Sequence, residues 1–161
     1  MTILFLDYDG VLHPNEAYHY HKRGVVLECA GHTLFEHADA LVDILEPHPQ
    51  VSIVLSTSWV SVLGFDRTKA YLPEALQKRV RGATYHSAFN SWWDSATRYQ
   101  QIAGYVVRHG LSDWIAVDDN DVGWPDESRH RLVFTNEMAG LGEQAARKCL
   151  AEKLAKGANN S

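Results

Sequence analysis

Cysteine is scarce in this chain: there are two, Cys29 and Cys149, far apart. Two such thiols make no disulfide framework, so cross-links are not expected to hold the fold. Long apolar runs are missing as well. No stretch approaches the roughly 20 residues a membrane-spanning helix needs, and no membrane partner is expected. The opening "ILFLDYDG" meets charge too early to be the apolar core of a signal peptide. A reducing, cytoplasmic setting is therefore the expectation. Basic excess is also absent: 15 Lys and Arg stand against 20 Asp and Glu, a net charge of −5. That argues against broad electrostatic binding to duplex nucleic acid, although a local basic site remains compatible with it. Repeats, low-complexity blocks and linkers are not found. The chain reads as a single domain over 1–161, with 157–161 as a frayed polar tail.

What is present is an alternation. Short, continuous apolar runs mark strands at 3–7, 51–56, 82–86, 114–118 and 131–135. Runs without polar alternation belong to sheets buried on both faces. Between them lie helical patterns. Leu34, Ala38, Leu41, Val42 and Leu45 keep helical spacing until Pro47. A second pattern covers 72–80, with Pro73 at its start. A third covers 95–109, with Gly110 as its stop, and a fourth covers 141–156. This order predicts a doubly wound, mainly parallel five-stranded α/β sheet. Ligand sites in such sheets lie beyond the carboxyl ends of the strands.

Those ends carry unusual chemistry. The first strand stops at Asp7-Tyr8-Asp9-Gly10, the second at Ser56-Thr57-Ser58-Trp59, and the fourth at Asp118-Asp119-Asn120-Asp121. Arg98 opens the helix before that fourth strand. Any one cluster alone is ordinary turn chemistry, but their joint occurrence in this order is not. Residues i and i+2 of a strand point the same way, so the D-x-D spacing aims Asp7 and Asp9 at one target. Two carboxylates that close repel unless a cation lies between them.

Asp7-Tyr8-Asp9-Gly10-Val11-Leu12 resembles the first motif of the haloacid dehalogenase (HAD) superfamily of phosphohydrolases. Ser56/Thr57 resembles the second motif, Arg98 the third-motif cation (more often Lys), and Asp118-Asp119 the acidic fourth motif. "STSW", "VDDND" and "LVFTNEMAGL" are similar to small bacterial and phage HAD domains, some of which belong to nucleic-acid repair proteins. The resemblance implies a HAD-like Rossmannoid fold and a Mg²⁺ ion. Its ligands would be Asp7, the Asp9 carbonyl and one of Asp118 and Asp119, both of which qualify. It implies Asp7 as nucleophile, Asp9 as general acid and base, a phosphate contact from Ser56 or Thr57, and charge compensation by Arg98. Lys69 is a poorer cation because it precedes the third strand. Gly10 permits a tight turn. Asp9 favours phosphate chemistry over dehalogenation.

Only a β-flap over 12–31, with "VVLEC" as one arm, fits between the first two motifs, so the cap is minimal. An open site suits a phosphorylated substrate as large as a nucleic-acid terminus or a phosphoprotein, or closure by a partner protein. The alternative is a regulatory module that holds phosphate and metal without turnover.

His13, His19, His21, Cys29, His32 and His37 crowd the flap region. They are zinc-ligand types, but they lack paired ligand spacing, and read instead as polar flap residues. His13, Ser58 and Trp59 are expected to contact substrate, and Trp124 to help wall the pocket. Trp92 and Trp93 are expected to be buried rather than to stack bases. Lys78, Arg79 and Arg81 read as a solvated helix face.

Overall fold

The structure, a computed structural model, describes residues 1–159; positions 160 and 161 of the expected tail lie outside the described residues. Strand β1 (Thr2–Leu6) is buried at every residue. Alternation sends Leu4 and Leu6 to one face, where they meet Leu41, Leu45, Leu150 and Leu154. It sends Ile3 and Phe5 to the other, against Ile102, Tyr105 and Trp114. Both faces are apolar environments, which is why this strand shows no polar alternation. Each fully buried Leu or Ile contributes about 1.5–3 kcal/mol.

The other sheet strands are β4 (Val51–Leu55), β5 (Val80–Ala83), β6 (Trp114–Asp118) and β7 (Leu132–Phe134). Their order is β5-β4-β1-β6-β7, and every pairing is parallel. From the central β1 the chain builds β4 and β5 on one side, then β6 and β7 on the other. The reversal puts a switch point at the carboxyl end of β1. Helices α1 (Ala38–Leu45) and α7 (Gln144–Asn159) cover one face, and α6 (Arg98–His109) the other. The fold is the expected doubly wound α/β sheet.

Inside the expected flap, β2 (Ala17–Tyr20) and β3 (Gly24–Leu27) form an antiparallel hairpin. Its tip carries exposed His21, Lys22 and Arg23.

Several boundaries differ from the sequence reading. The helix expected from residue 34 starts at Ala38, because Phe35 takes a left-handed φ of 59° that no helix continues. Val80 begins β5 instead of ending a helix, and α4 is only Glu74–Gln77. Short helices α2 (Trp59–Leu63), α3 (Phe65–Ala70) and α5 (Asn90–Ser95) were not legible; six residues or fewer give no periodic signal. Residues 157–159, expected as tail, are the last turn of α7.

Arg79 is not a solvated side chain. Its Nη1 donates to the carbonyls of His48 (2.8 Å) and Val51 (3.0 Å), and its Nη2 to Leu45 (2.8 Å). It thereby satisfies the end of α1, where helical carbonyls lack partners. Trp93 is buried as expected, but Trp92 is 41% exposed. Trp124 is buried among Tyr99 and Trp114 and lines no part of the cavity around Asp7.

Candidate active site

The register brings three strand ends together. Leu6 pairs with Leu55 on one side and Val117 on the other. One step further, Ser56, Asp7 and Asp118 stand side by side, joined by Ser56 N–H to the Leu6 carbonyl and Asp7 N–H to the Val117 carbonyl. Among the described residues, Asp7, Asp118 and Asp119 can each offer a ligand atom within 4.8 Å of the others.

Arg98 faces this cluster. Its Nη1 lies 3.3 Å from Asp7 Oδ1 and 3.4 Å from Asp118 Oδ2, and also donates to the Ser56 carbonyl. It is aimed by the first turn of α6. There Thr97 and Gln100 form a reciprocal capping box, which fixes where the helix begins. Burial opposes the Arg98 charge, but the carboxylates of Asp7, Asp118 and Asp119 outweigh it and hold the guanidinium more firmly protonated than usual.

The carboxylates are shifted the other way. Burial drives Asp7 well above the ordinary range; Arg98 counters this, while Asp118 and Asp9 add to it. Burial likewise pushes Asp118 up to about 6 and Asp119 to about 7, the latter with a contribution from Asp7. One guanidinium does not neutralise three carboxylates. Asp118 Oδ1 accepts the Asn120 N–H at 3.0 Å, whereas its buried Oδ2 has no hydrogen-bond donor.

Asp9 stands apart from the cluster. Trp59 Nε1 donates to its Oδ2 at 2.9 Å, and His13 Nε2 bonds its Oδ1 at 2.8 Å. The other ring nitrogen of His13 accepts the Phe35 N–H at 3.2 Å. Nδ1 is therefore unprotonated, and Nε2 carries the proton donated to Asp9. The left-handed turn at Phe35 is what presents that N–H. His13 is fully buried, and both of its ring nitrogens are occupied within the protein.

Gly10 adopts a φ of 75°, and a Cβ there would sit 2.1 Å from Asp119 Oδ2. Only glycine lets Asp119 lean over this loop. The loop is braced from the far end of the chain. Thr135 Oγ1 donates to the Gly10 carbonyl at 2.7 Å, and Leu141 N–H to the Val11 carbonyl at 2.8 Å. Thr135 was missed in the sequence, although its place beyond a strand end is the signal that marked Asp7 and Asp118.

Two cavities meet at Asp9 and Ser58. One, of about 430 Å³, is polar and contains Asp7, Arg98 and Asp119, with Asn15 and Glu137 on its rim. The other, of about 180 Å³, lies between the hairpin and α2. Of the expected hydroxyls, Ser56 Oγ is buried without a partner, while Thr57 Oγ1 accepts the Trp59 N–H. Of the flap-region histidines, His32 bonds Glu36 at 2.6 Å and His37 lies 3.5 Å from the same carboxylate; among the described residues they join no group of three metal-ligand side chains. A larger cavity, about 590 Å³, opens at the opposite strand ends. Its Arg131 already bonds the Trp114 carbonyl, and its Lys153 the His130 carbonyl. No described helix is long and apolar enough to cross a membrane.

Residues 3–146 match the family described as the HAD domain in Swiss Army Knife RNA repair proteins. No curated protein matches. Among solved structures, a Vibrio cholerae protein named as a 3-deoxy-D-manno-octulosonate 8-phosphate phosphatase is similar, with a TM-score of 0.43 and 11% identity. The likeness covers 99% of this chain and 86% of that one.

Proposed function

This chain belongs to the HAD domains of Swiss Army Knife RNA repair proteins, and from that membership we propose that it is a Mg²⁺-dependent phosphomonoesterase working through Asp7. The observation that carries the reading is the convergence of Asp7, Asp118 and Asp119 within 4.8 Å, with Arg98 against two of them. The family's description favours a nucleic-acid terminus as substrate.

A divalent cation fits these residues. The donors are all oxygen, as magnesium prefers. The cluster has surplus negative charge, Asp118 Oδ2 lacks a donor, and Gly10 leaves the space that Asp119 uses. Asp7, Asp118, Asp119 and the Asp9 carbonyl would hold the ion. Bound there, Mg²⁺ would supply the positive charge that keeps the buried carboxylates ionised and offsets phosphate charge.

The chain's own groups account for the rest. Asp7 attacks phosphorus as the ester P–O bond breaks, and protonated Asp9 gives its proton to the departing oxygen. This leaves an aspartyl-phosphate on Asp7 and an ionised Asp9. Asp9 then takes a proton from the water that attacks this phosphoryl group, releasing inorganic phosphate and restoring both side chains. Arg98 offsets charge on the transferring group. Ser56, whose hydroxyl has no protein partner, is the proposed donor to a phosphate oxygen. His13 and Trp59 hold Asp9 at the ester side.

The test is a phosphate-release panel with Mg²⁺ or chelator, covering 3′- and 5′-phosphorylated oligonucleotides, sugar phosphates and phosphopeptides. Mg²⁺-dependent release that Asp7→Asn abolishes, with the fold intact, is the expected result. Wild-type turnover in Asp7→Asn would remove Asp7 as nucleophile. Tight binding of beryllium fluoride with Mg²⁺ but no turnover of any substrate would favour a non-catalytic module.

A further inference from the structure

Resting on that reading, we infer that the 180 Å³ cavity beside Asp9 is the leaving-group subsite, and that it takes the single-ring base of a terminal pyrimidine nucleotide. Asp9 and Ser58 line both cavities. A phosphoryl group beside Asp7 and Arg98 puts its ester oxygen at Asp9, so whatever that oxygen carries continues past Asp9. The smaller cavity lies in that direction.

Its walls fix the chemistry of the occupant. Ala17 and Val25 come from the hairpin, and Trp59, Val62 and Leu63 from α2. These surfaces suit the faces of a flat ring. The Ser58 hydroxyl and the His19 imidazole add hydrogen-bonding groups for a polar edge, which a bare phenyl ring would leave unused. Size favours one ring: a closed cavity of about 150 Å³ accommodates one benzene ring, and this one, open at its mouth, has about 180 Å³. Val62 is 57% exposed, which leaves a way in from solvent. The Trp59 indole N–H is committed to Asp9, so a base against Trp59 stands beside the group that protonates its ester. Base recognition and proton transfer would share one side chain.

Binding and turnover test this separately. Methyl NMR on Mg²⁺-loaded wild-type protein follows Val25, Val62 and Leu63 during titration with uridine 3′- or 5′-monophosphate. The base-less controls are 1,2-dideoxyribose 3-phosphate and ribose 5-phosphate. At least one uridine nucleotide should move these methyl signals and bind about tenfold more tightly than its control, within the range of base stacking on an aromatic side chain. Val62→Trp, which fills the cavity, should bring that ratio close to one. If the variant misfolds, the wild-type shifts decide alone.

Equal binding with and without the base, or unmoved methyl signals, overturns the subsite even if phosphate is released. Adenosine nucleotides binding as tightly as uridine nucleotides overturn the one-ring preference, and phosphotyrosine binding more tightly than either overturns the pyrimidine assignment. Base-dependent methyl shifts without phosphate release uphold the subsite and refute the proposed reaction instead.

Discussion

Trp59 and Asp9 are separated by fifty positions in the chain, yet the indole N–H of one donates to the carboxylate of the other at 2.9 Å. His13 holds the second oxygen. The proposed acid and base is thus fixed at both oxygens while each keeps a further lone pair for the proton in transit. Two segments of chain, the loop over residues 9–13 and the start of α2, thus set the position of the Asp9 carboxylate.

This arrangement predicts coupling. Trp59→Phe should lower kcat for ethyl phosphate about tenfold, the usual scale when a supporting hydrogen bond is lost. In an Asp9→Asn background the same change should do almost nothing more, because residues that act as a unit are not additive. Steady-state kinetics on the four proteins of the cycle check this. Additive losses would mean that Trp59 acts by packing alone.

Stability of the metal-free protein should depend on pH in an unusual direction. Asp118 and Asp119 have folded-state values of about 6 and about 7, raised chiefly by burial from an ordinary 3.8. The native state therefore binds more protons than the unfolded chain between 3.8 and about 7, and these groups lose stability as pH rises through that window. In chelator, Tm should be higher at about pH 5.5 than at about pH 8. Added Mg²⁺ should raise Tm more at the higher pH. Asp119→Asn should flatten the slope in chelator, which separates this carboxylate from the histidines.

Gly10→Ala should damage ion binding more than folding. The new Cβ would lie 2.1 Å from Asp119 Oδ2, and the left-handed backbone adds about 1–2 kcal/mol of strain. Calorimetry should show Mg²⁺ affinity falling at least about tenfold, with Tm lower by several degrees. Unchanged affinity would mean that Asp119 is not a ligand.

Arg79→Met tests a purely structural site. It keeps an apolar stem but removes the charged donor shared by the Leu45, His48 and Val51 carbonyls, the first two of which keep a backbone N–H. A loss of about 2 kcal/mol is expected, or roughly 4–8 °C in Tm for a domain of this size. Turnover well below the transition should match wild type.

How much of this was legible depended on where the information lay. β1, β4 and β6 were readable because buried parallel strands write themselves as unbroken apolar runs. Asp7, Asp118 and Arg98 followed because the fold class says where strand and helix ends converge. The partners of Asp9 were not readable. His13 looked like a substrate contact, and only the turn at Phe35 and the short helix after Ser58 turn His13 and Trp59 inward. Arg79 sat in a basic run that pattern assigns to solvent, whereas tertiary packing laid it across the end of α1. Ser56 and Thr57 are indistinguishable by type and spacing. They differ in which hydroxyl the folded chain already occupies.

The Thr135 bond to the Gly10 carbonyl has a bearing on biosynthesis. A ribosome that has exposed the chain only as far as Asp121 has already delivered every proposed reacting side chain, from Asp7 to Asp119. The nascent protein still lacks β7, with Thr135 just beyond it, and the turn that carries Leu141. The loop on which Asp9 and Gly10 ride then has its bonds from Trp59 and His13 but not the brace from Thr135. The brace therefore forms only when the segment around Thr135 docks against a loop made 125 positions earlier.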